Sequence, residues 1–123
     1  MTAEPRAWPA EGVSRVPLWI YTDPEVYASE LRRIFEGPAW SYVALEAELP
    51  NPGDWKTSSV GELPVIVARS GADAFSVLVN QCAHRGLRVC HRTSGNTQTF
   101  QCPYHQWTYR LDGALAGVPF ARG

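Results

Sequence analysis

Residues 80–105 read NQCAHRGLRVCHRTSGNTQTFQCPYH, and the interpretation of the whole chain depends on this stretch. It contains two short motifs, Cys82-Ala-His84 and Cys102-Pro-Tyr-His105, which are separated by seventeen residues. The chain has 3 cysteines and 3 histidines in total, and the two motifs use two of each. Each motif offers one thiolate and one imidazole, so together they supply a candidate set of metal ligands.

The spacing within each motif suits a centre that contains two metal ions. In an extended loop, side chains two residues apart point to the same side of the backbone, so Cys82 and His84 can reach neighbouring ions. In the second motif, proline restricts the backbone between the two ligands. Two Cys and two His are the ligand set of a Rieske [2Fe–2S] centre, in which two His replace two Cys on one iron. We assign Cys82 and Cys102 to the inner iron, and His84 and His105 to the outer iron.

Two other interpretations of these residues remain open at this point. Four Cys and His ligands can also close a tetrahedral zinc site, although zinc motifs usually pair Cys with Cys and His with His. A disulfide between Cys82 and Cys102 is the second alternative, and it leaves the matching histidines unexplained.

The residues around the two motifs resemble a known family. The matching positions are Cys82–Gly86, Gly95–Asn96, Phe100–His105, Trp107, Tyr109 and Leu111–Gly113. This pattern is similar to the Rieske domain of aromatic-ring-hydroxylating oxygenases, in the N-terminal part of their large (alpha) subunit. The similarity extends from about Val16 to the end of the chain. Gln106 departs from the family pattern, which more often has glycine between the histidine and the tryptophan.

The resemblance implies electron transfer within an oxygenase that hydroxylates an aromatic, for example an aromatic acid, with O₂. It also implies a ferredoxin or reductase as electron donor, and a homo- or hetero-oligomer with other oxygenase subunits. A mononuclear Fe(II) site would need two His and one carboxylate, and His91 is the one histidine outside the motifs. We therefore expect that iron in a catalytic domain that this chain lacks.

The alternative function is a stand-alone Rieske ferredoxin that carries electrons and has no catalysis of its own. The helix predicted before the β domain favours the oxygenase, because carriers of this type tend to begin at the β domain. The ending Gly117–Phe120 also reads like a chain that continues.

Composition predicts one domain of an ordinary globular protein. The chain has 123 residues, of which 45% are hydrophobic and 19% are charged. Its net charge of −1 gives no reason to expect nucleic acid as a partner. No apolar stretch is long enough to cross a bilayer, so no membrane association is expected. Cys90 is the one cysteine outside the motifs, which excludes a disulfide framework and suits the reducing cytoplasm.

Residues 1–37 are predicted to form an N-terminal arm and a helix. The first seventeen residues are rich in Pro and Ala and are expected to be irregular. Asp23 is suited to cap a helix, and Pro24 to occupy its first position. Apolar residues then recur at near-helical spacing as far as Phe35, and Gly37-Pro38 ends the helix.

Residues 38–123 are predicted to form the Rieske domain, because the pattern changes to short strands separated by turns. The strands are expected at residues 40–44, 56–60, 64–69, 74–80, 97–101 and 107–111. Asp112-Gly113 is a hairpin signal. The predicted fold class is therefore all-β: a Rieske-type antiparallel β sandwich with cluster-binding loops, preceded by one N-terminal α-helix.

Residues beside the motifs invite further interpretation. Cys90 and His91 are adjacent and point opposite ways in extended backbone, so a small buried thiol and a surface histidine are expected instead of ligands. A basic group of Arg85, Arg88 and Arg92 can dock an acidic electron donor, pair with carboxylates of a neighbouring subunit, or remain solvated. Trp107 and Tyr109 are expected either to shield the cluster or to belong to the core.

Overall fold

The structure is a computed structural model that describes residues 7–120, and the chain forms two compact units. The first unit ends at Trp40 and the second begins at Ser41. The first contains 3-10 turns at Gly12–Ser14 and Leu18–Tyr21, followed by helix α1, Pro24–Glu30. Part of the predicted irregular arm, residues 1–6, lies outside the described residues. Among the described residues, no helix is long and apolar enough to cross a membrane.

Helix α1 begins as the sequence predicts. The Asp23 side chain caps it by accepting hydrogen bonds from the backbone N–H groups of Glu25, at 2.8 Å, and Val26, at 3.4 Å. After Glu30 the chain widens into a π-helical turn, Leu31–Phe35, instead of continuing as α-helix to Phe35. The chain then leaves the helix at Gly37, where a Cβ would collide with the backbone carbonyl of Arg33.

The second unit contains seven strands in two antiparallel sheets. The strands are β1 Asp54–Val60, β2 Leu63–Arg69, β3 Phe75–Val79, β4 Ser94–Asn96, β5 Thr99–Gln101, β6 Thr108–Arg110 and β7 Leu115–Gly117. The first sheet has the order β3-β2-β1-β4, and the second has the order β5-β6-β7. The predicted fold class, antiparallel β structure preceded by a helix, is confirmed.

The core of this unit draws its side chains from both sheets. Trp55, Ile66 and Ala68 come from the first sheet, and Phe100 comes from the second. The rings of Trp55 and Phe100 meet edge to face, with centroids 5.8 Å apart. Leu111, which follows β6, completes the buried group. The two sheets are therefore held together by the same apolar cluster, and the two Cys/His loops start from its strands.

The strand predicted at residues 40–44 is wrong. No strand forms there, and Val43, Ala44 and Leu45 instead line a shallow cavity of about 260 Å³ together with Val67 and Val77. The segment lies beside Val67 of β2 and Val77 of β3 without joining the backbone ladder of either sheet.

The strand predicted at residues 97–101 is present in part, as β5, Thr99–Gln101. Asn96 ends β4 in the first sheet, and Thr99 begins β5 in the second. The chain crosses between the sheets at Thr97, whose backbone N–H donates to the Gly53 carbonyl at 2.9 Å. Both β4 and β7 were missed, because strands of three residues carry too little alternation to be recognised.

The hairpin predicted at Asp112-Gly113 is present between β6 and β7. Gly113 has a φ of +88°, a conformation that favours glycine. The Asp112 carboxylate accepts a hydrogen bond from the backbone N–H of Ala114 at 3.0 Å. This turn joins β6 to the edge strand β7 of the sheet from which the second Cys/His motif starts.

Candidate metal centre

The two motifs fold into loops with the same backbone turn. The N–H of Gly86 donates to the Cys82 carbonyl at 2.8 Å, and the N–H of Gln106 donates to the Cys102 carbonyl at 3.0 Å. In return, the N–H of each cysteine donates to the carbonyl five residues later, in Leu87 or Trp107. Each loop therefore holds its cysteine at the base and its histidine near the tip.

The two thiols lie together in the interior. Cys82 is 3% exposed and Cys102 is 1% exposed. Burial raises the pKa of the Cys82 thiol, but hydrogen bonds with the Tyr109 hydroxyl, the His84 backbone and Cys102 outweigh it, so that this pKa falls below its ordinary value. This environment favours the thiolate, which is the form that binds metal. All 3 cysteines are free, which argues against a disulfide between Cys82 and Cys102.

The two imidazoles lie together nearer the surface. The ring centroids of His84 and His105 are 4.5 Å apart, with an angle of 71° between the planes. His84 is exposed and His105 is partly buried. Burial, together with the neighbouring His84 and Arg85, lowers the pKa of His105. The neutral imidazole is therefore favoured, and it is the form that coordinates metal.

The four candidate ligands are thus arranged as a pair of thiols and a pair of imidazoles. Within residues 7–120, no three His, Cys, Asp or Glu side chains converge on one point where a single ion could bind. A structural zinc site brings four ligands to one ion, whereas a mixed Cys/His [2Fe–2S] centre brings two ligands to each of two irons. The paired arrangement fits the two-iron centre.

Two aromatic side chains, Trp107 just before β6 and Tyr109 within it, contact opposite ends of this site. The indole of Trp107 stacks on the imidazole of His84, with centroids 4.9 Å apart and planes 8° apart. The Tyr109 hydroxyl lies 3.2 Å from the Cys82 sulfur and accepts a hydrogen bond from the Ala83 N–H at 3.1 Å. Because the hydroxyl oxygen already accepts the Ala83 N–H, its own proton is available to the sulfur. Trp107 and Tyr109 therefore both belong to the site, and Tyr109 also packs against the core.

Asn80 is a structural residue of the site that sequence reasoning missed. It is 1% exposed, and its side-chain oxygen accepts hydrogen bonds from the N–H groups of Val89, at 3.1 Å, and Cys90, at 2.8 Å. Its side-chain nitrogen donates to the Cys90 carbonyl at 2.8 Å. These three bonds close the first loop at its two ends. A signal was present, since Asn is uncommon in strands and this one directly follows β3.

The remaining Cys/His pair takes no part in the site. Cys90 is partly buried against the core cluster, and burial raises its pKa to about 11. A thiol in that environment stays protonated and unreactive. His91 is exposed. Their placement agrees with the expectation that neither residue joins the four candidate ligands.

The comparison of the two loops explains why glycine is usual at the position of Gln106. Gly86 and Gln106 occupy equivalent positions, and both have a positive φ, +69° and +59°. A positive φ costs a non-glycine residue roughly 1–2 kcal/mol of stability. Glycine avoids this cost but loses more conformational entropy on folding, so its net advantage is smaller. The departure at Gln106 therefore leaves the turn intact but strains it.

We expect Gln106→Gly to raise the free energy of unfolding by about 1 kcal/mol, because the strain is relieved and the exposed side chain makes no hydrogen bond within residues 7–120 that would be lost. Gly86→Ala is the matched control, and it should destabilise by a similar amount, since a Cβ there meets no neighbour within 4 Å and only the backbone is strained. Urea unfolding of the three proteins measures both effects. A stabilised Gly86→Ala variant would contradict this account of the turn.

Comparison with known proteins agrees with this geometry. The family model of the Rieske [2Fe-2S] domain matches residues 39–123. The chain is 53% identical over 116 residues to the large oxygenase component of salicylate 5-hydroxylase from Ralstonia sp., covering 94% of this chain and 27% of that protein. It is 49% identical over 116 residues to the large subunit of anthranilate 1,2-dioxygenase from Burkholderia cepacia, with the same coverage. The chain spans about a quarter of the length of these relatives.

A solved structure extends the similarity to three dimensions. Naphthalene 1,2-dioxygenase from Rhodococcus sp., bound to indole, matches with a TM-score of 0.81 and 42% sequence identity. The match covers 91% of this chain and 25% of that chain. The resemblance to the large subunits of ring-hydroxylating oxygenases, stated above from the motifs, is confirmed.

An antiparallel β sandwich that presents paired thiols and paired imidazoles from two matching loops defines a domain of the iron–sulfur class. The chain belongs to the Rieske [2Fe–2S] domain family. Its cofactor is accordingly a Rieske-type [2Fe–2S] cluster, and the relatives named above are large subunits of oxygenases.

Proposed function

We propose that this chain transfers electrons through its cluster as the Rieske segment of the large subunit of an aromatic-ring-hydroxylating oxygenase. The observation that carries the proposal is the arrangement of two buried thiols, and of two imidazoles nearer the surface, on matching loops. When bound, a Rieske cluster takes up and releases one electron at a time. The relatives named above, which match over 94% of the chain, are oxygenase subunits.

Within this proposal, Cys82 and Cys102 hold one iron, and His84 and His105 hold the other. The donor chemistry fits, because the lowered pKa of Cys82 favours its thiolate and the lowered pKa of His105 favours its neutral imidazole, which are the forms that ligate iron. The thiol end is buried against the core, which excludes water from it. The imidazole end lies nearer the surface, where an electron can enter or leave over a short distance.

The proposal extends to the intact oxygenase. Similarity to proteins named for salicylate and anthranilate supports an aromatic acid as substrate, hydroxylated with O₂. A mononuclear Fe(II) would belong to a catalytic domain outside residues 1–123. The electron donor would be a ferredoxin or reductase, and the subunit would assemble with others. Three free thiols favour a cytoplasmic location. The division into residues 1–37 and 38–123 is part of the same proposal.

The first test is electron paramagnetic resonance of protein purified without oxygen and reduced with dithionite, with iron and zinc counted on the same sample. A rhombic signal at low average g, with two irons per chain, is the expected result. A silent spectrum with one zinc per chain would overturn the proposal. The alternative, a stand-alone Rieske ferredoxin, gives the same spectrum but would be reoxidised by a separate oxygenase in solution.

Tyr109 offers a second test, because its hydroxyl lies 3.2 Å from the Cys82 sulfur and can donate a hydrogen bond to the thiolate. A hydrogen bond to a ligand sulfur stabilises the reduced, more negative state and so raises the reduction potential. We expect Tyr109→Phe to lower the potential by roughly 60 mV, which corresponds to about 1.4 kcal/mol for one electron. Spectroscopic redox titration measures the shift. An unchanged potential in a variant with full iron content would refute this role.

A further inference from the structure

The part of the chain that carries the site has an unusual charge distribution. Residues 74–111 contain four arginines and no Asp or Glu, although the whole chain has 12 acidic residues against 11 basic ones. Every acidic residue therefore lies outside the segment that forms both candidate ligand loops. The net charge of −1 conceals a positive region around the site.

Three of these arginines lie on the stretch between β3 and β4, and we call Arg85, Arg88 and Arg92 the basic loop. All three are exposed, and none makes an ion pair within residues 7–120. The fourth, Arg110, differs because its guanidinium pairs with Asp112 at 3.4 Å. The basic loop therefore presents three positive charges, none of which forms an ion pair with a carboxylate of residues 7–120.

The basic loop is continuous with the imidazole end of the site. The Arg85 guanidinium lies over the ring of Tyr104, 5.8 Å from its centroid. The Tyr104 ring in turn contacts the His105 imidazole, with centroids 3.8 Å apart. A protein that binds the basic loop is thus brought next to the two imidazoles, where an electron has the shortest path to the outer iron.

A groove with matching polar chemistry lies beside the basic loop. It has a volume of about 470 Å³ and is lined by Arg88, His91 and Arg92, by the hydroxyl residues Thr57, Ser58, Ser59 and Thr93, and by Glu62 at one side. Guanidinium and hydroxyl groups are the donors that carboxylates prefer. The groove is open, so it suits side chains projecting from another protein better than an enclosed small molecule.

We propose that the basic loop and this groove form the docking face for an acidic surface of the electron-donating protein. The proposal rests on the electron-transfer function proposed above. Exposed charges of this kind steer a partner of opposite charge and raise the association rate, with an effect that salt suppresses. A neighbouring subunit's carboxylates would use the same chemistry, and the experiment below separates the two partners.

The test uses stopped-flow reduction of the cluster-containing protein by a reduced acidic plant-type [2Fe–2S] ferredoxin, at low and high ionic strength. We expect Arg88→Gln/Arg92→Gln to lower the second-order rate constant about tenfold at low salt, and to flatten its salt dependence. Arg110→Gln is the matched control, because it removes a guanidinium that is already paired with Asp112. It should change the rate less than about twofold.

Two further measurements keep the outcomes distinct. Reduction by dithionite and the paramagnetic signal should be the same in all three proteins, because neither substitution touches a candidate ligand. A double variant that matches the parent rate at low salt would overturn the docking face. A double variant with an unchanged rate but a changed sedimentation mass would assign the face to contacts between subunits. A parent protein without a Rieske signal would instead refute the proposed function.

Discussion

His105→Ala is expected to abolish the rhombic Rieske signal, whereas His91→Ala should leave it intact. The two substitutions remove the same side chain from positions fourteen residues apart in one sequence. His105 lies 4.5 Å from His84, measured between ring centroids, while His91 is exposed and takes no part in the candidate site. Replacing even a residue that only supports a metal ligand lowers the affinity for the metal by about 10–100-fold. Loss of a ligand should therefore lower the affinity for the cluster by more than about tenfold.

The cysteines provide an independent version of the same experiment. Cys102→Ala should lose the cluster, and Cys90→Ala should keep it, because Cys90 packs against the core as a protonated thiol. Cys90→Ala removes only a partly buried sulfur, so a loss of about 1 kcal/mol of stability is expected. Iron content and paramagnetic resonance on all four variants measure the outcome. Retention of the full signal in His105→Ala, or its loss in His91→Ala, would refute the ligand assignment.

Loss of the cluster should also loosen the loops that hold it. Ligation joins a loop that follows β3 to a loop that follows β5, so its binding energy contributes to folding. Amide hydrogen exchange should therefore speed up in both loops of His105→Ala, and remain slow in the paired strands β1 and β2. The paired-strand amides serve as an internal reference for global unfolding.

Asn80→Ala is the second substitution with a large expected effect. It removes three hydrogen bonds at once and leaves the N–H groups of Val89 and Cys90 and the Cys90 carbonyl without this partner. Each buried polar group left unsatisfied costs about 1–3 kcal/mol. Because the loop can relax and admit water, we expect a total loss of roughly 3 kcal/mol rather than the full sum. For a domain of this size, the midpoint of thermal unfolding should fall by about 10–20 °C.

Asn51→Ala is the matched control for Asn80→Ala. Asn51 is exposed, and its side chain makes a hydrogen bond to Asp54 at 3.2 Å. Its loss should cost less than about 1 kcal/mol, as is usual for an exposed hydrogen bond. Thermal unfolding followed by circular dichroism and by bleaching of the cluster measures both variants. Equal effects of the two substitutions would contradict the role assigned to Asn80.

Much of the site could be predicted from local patterns. Two Cys/His motifs in a chain with 3 cysteines and 3 histidines leave few ways to assemble four ligands, and they fall in the matching loops of the structure. The cap at Asp23 and the turn at Asp112-Gly113 were also predictable, because caps and tight turns depend on neighbours within three or four residues.

Errors in the sequence interpretation arose where a residue's role depends on distant partners. Residues 40–44 have the composition of a strand, but they pair with neither sheet. Asn80 becomes a buried bridge only because the chain returns to it at Cys90. The sequence allows Trp107 either to shield the cluster or to belong to the core. Only the tertiary structure stacks its ring on His84 of the other loop.

Ligand identity, helix start and turn positions follow from short-range spacing, because the backbone geometry over a few residues leaves few alternatives. The pairing of thiol with thiol and imidazole with imidazole is different, since it requires loops after β3 and β5 to meet across the sandwich. The Tyr109 bond to Cys82 joins residues 27 positions apart, and no local rule specifies it. Such contacts exist because two sheets pack around one apolar core, and that packing sets the environment in which the ligands act.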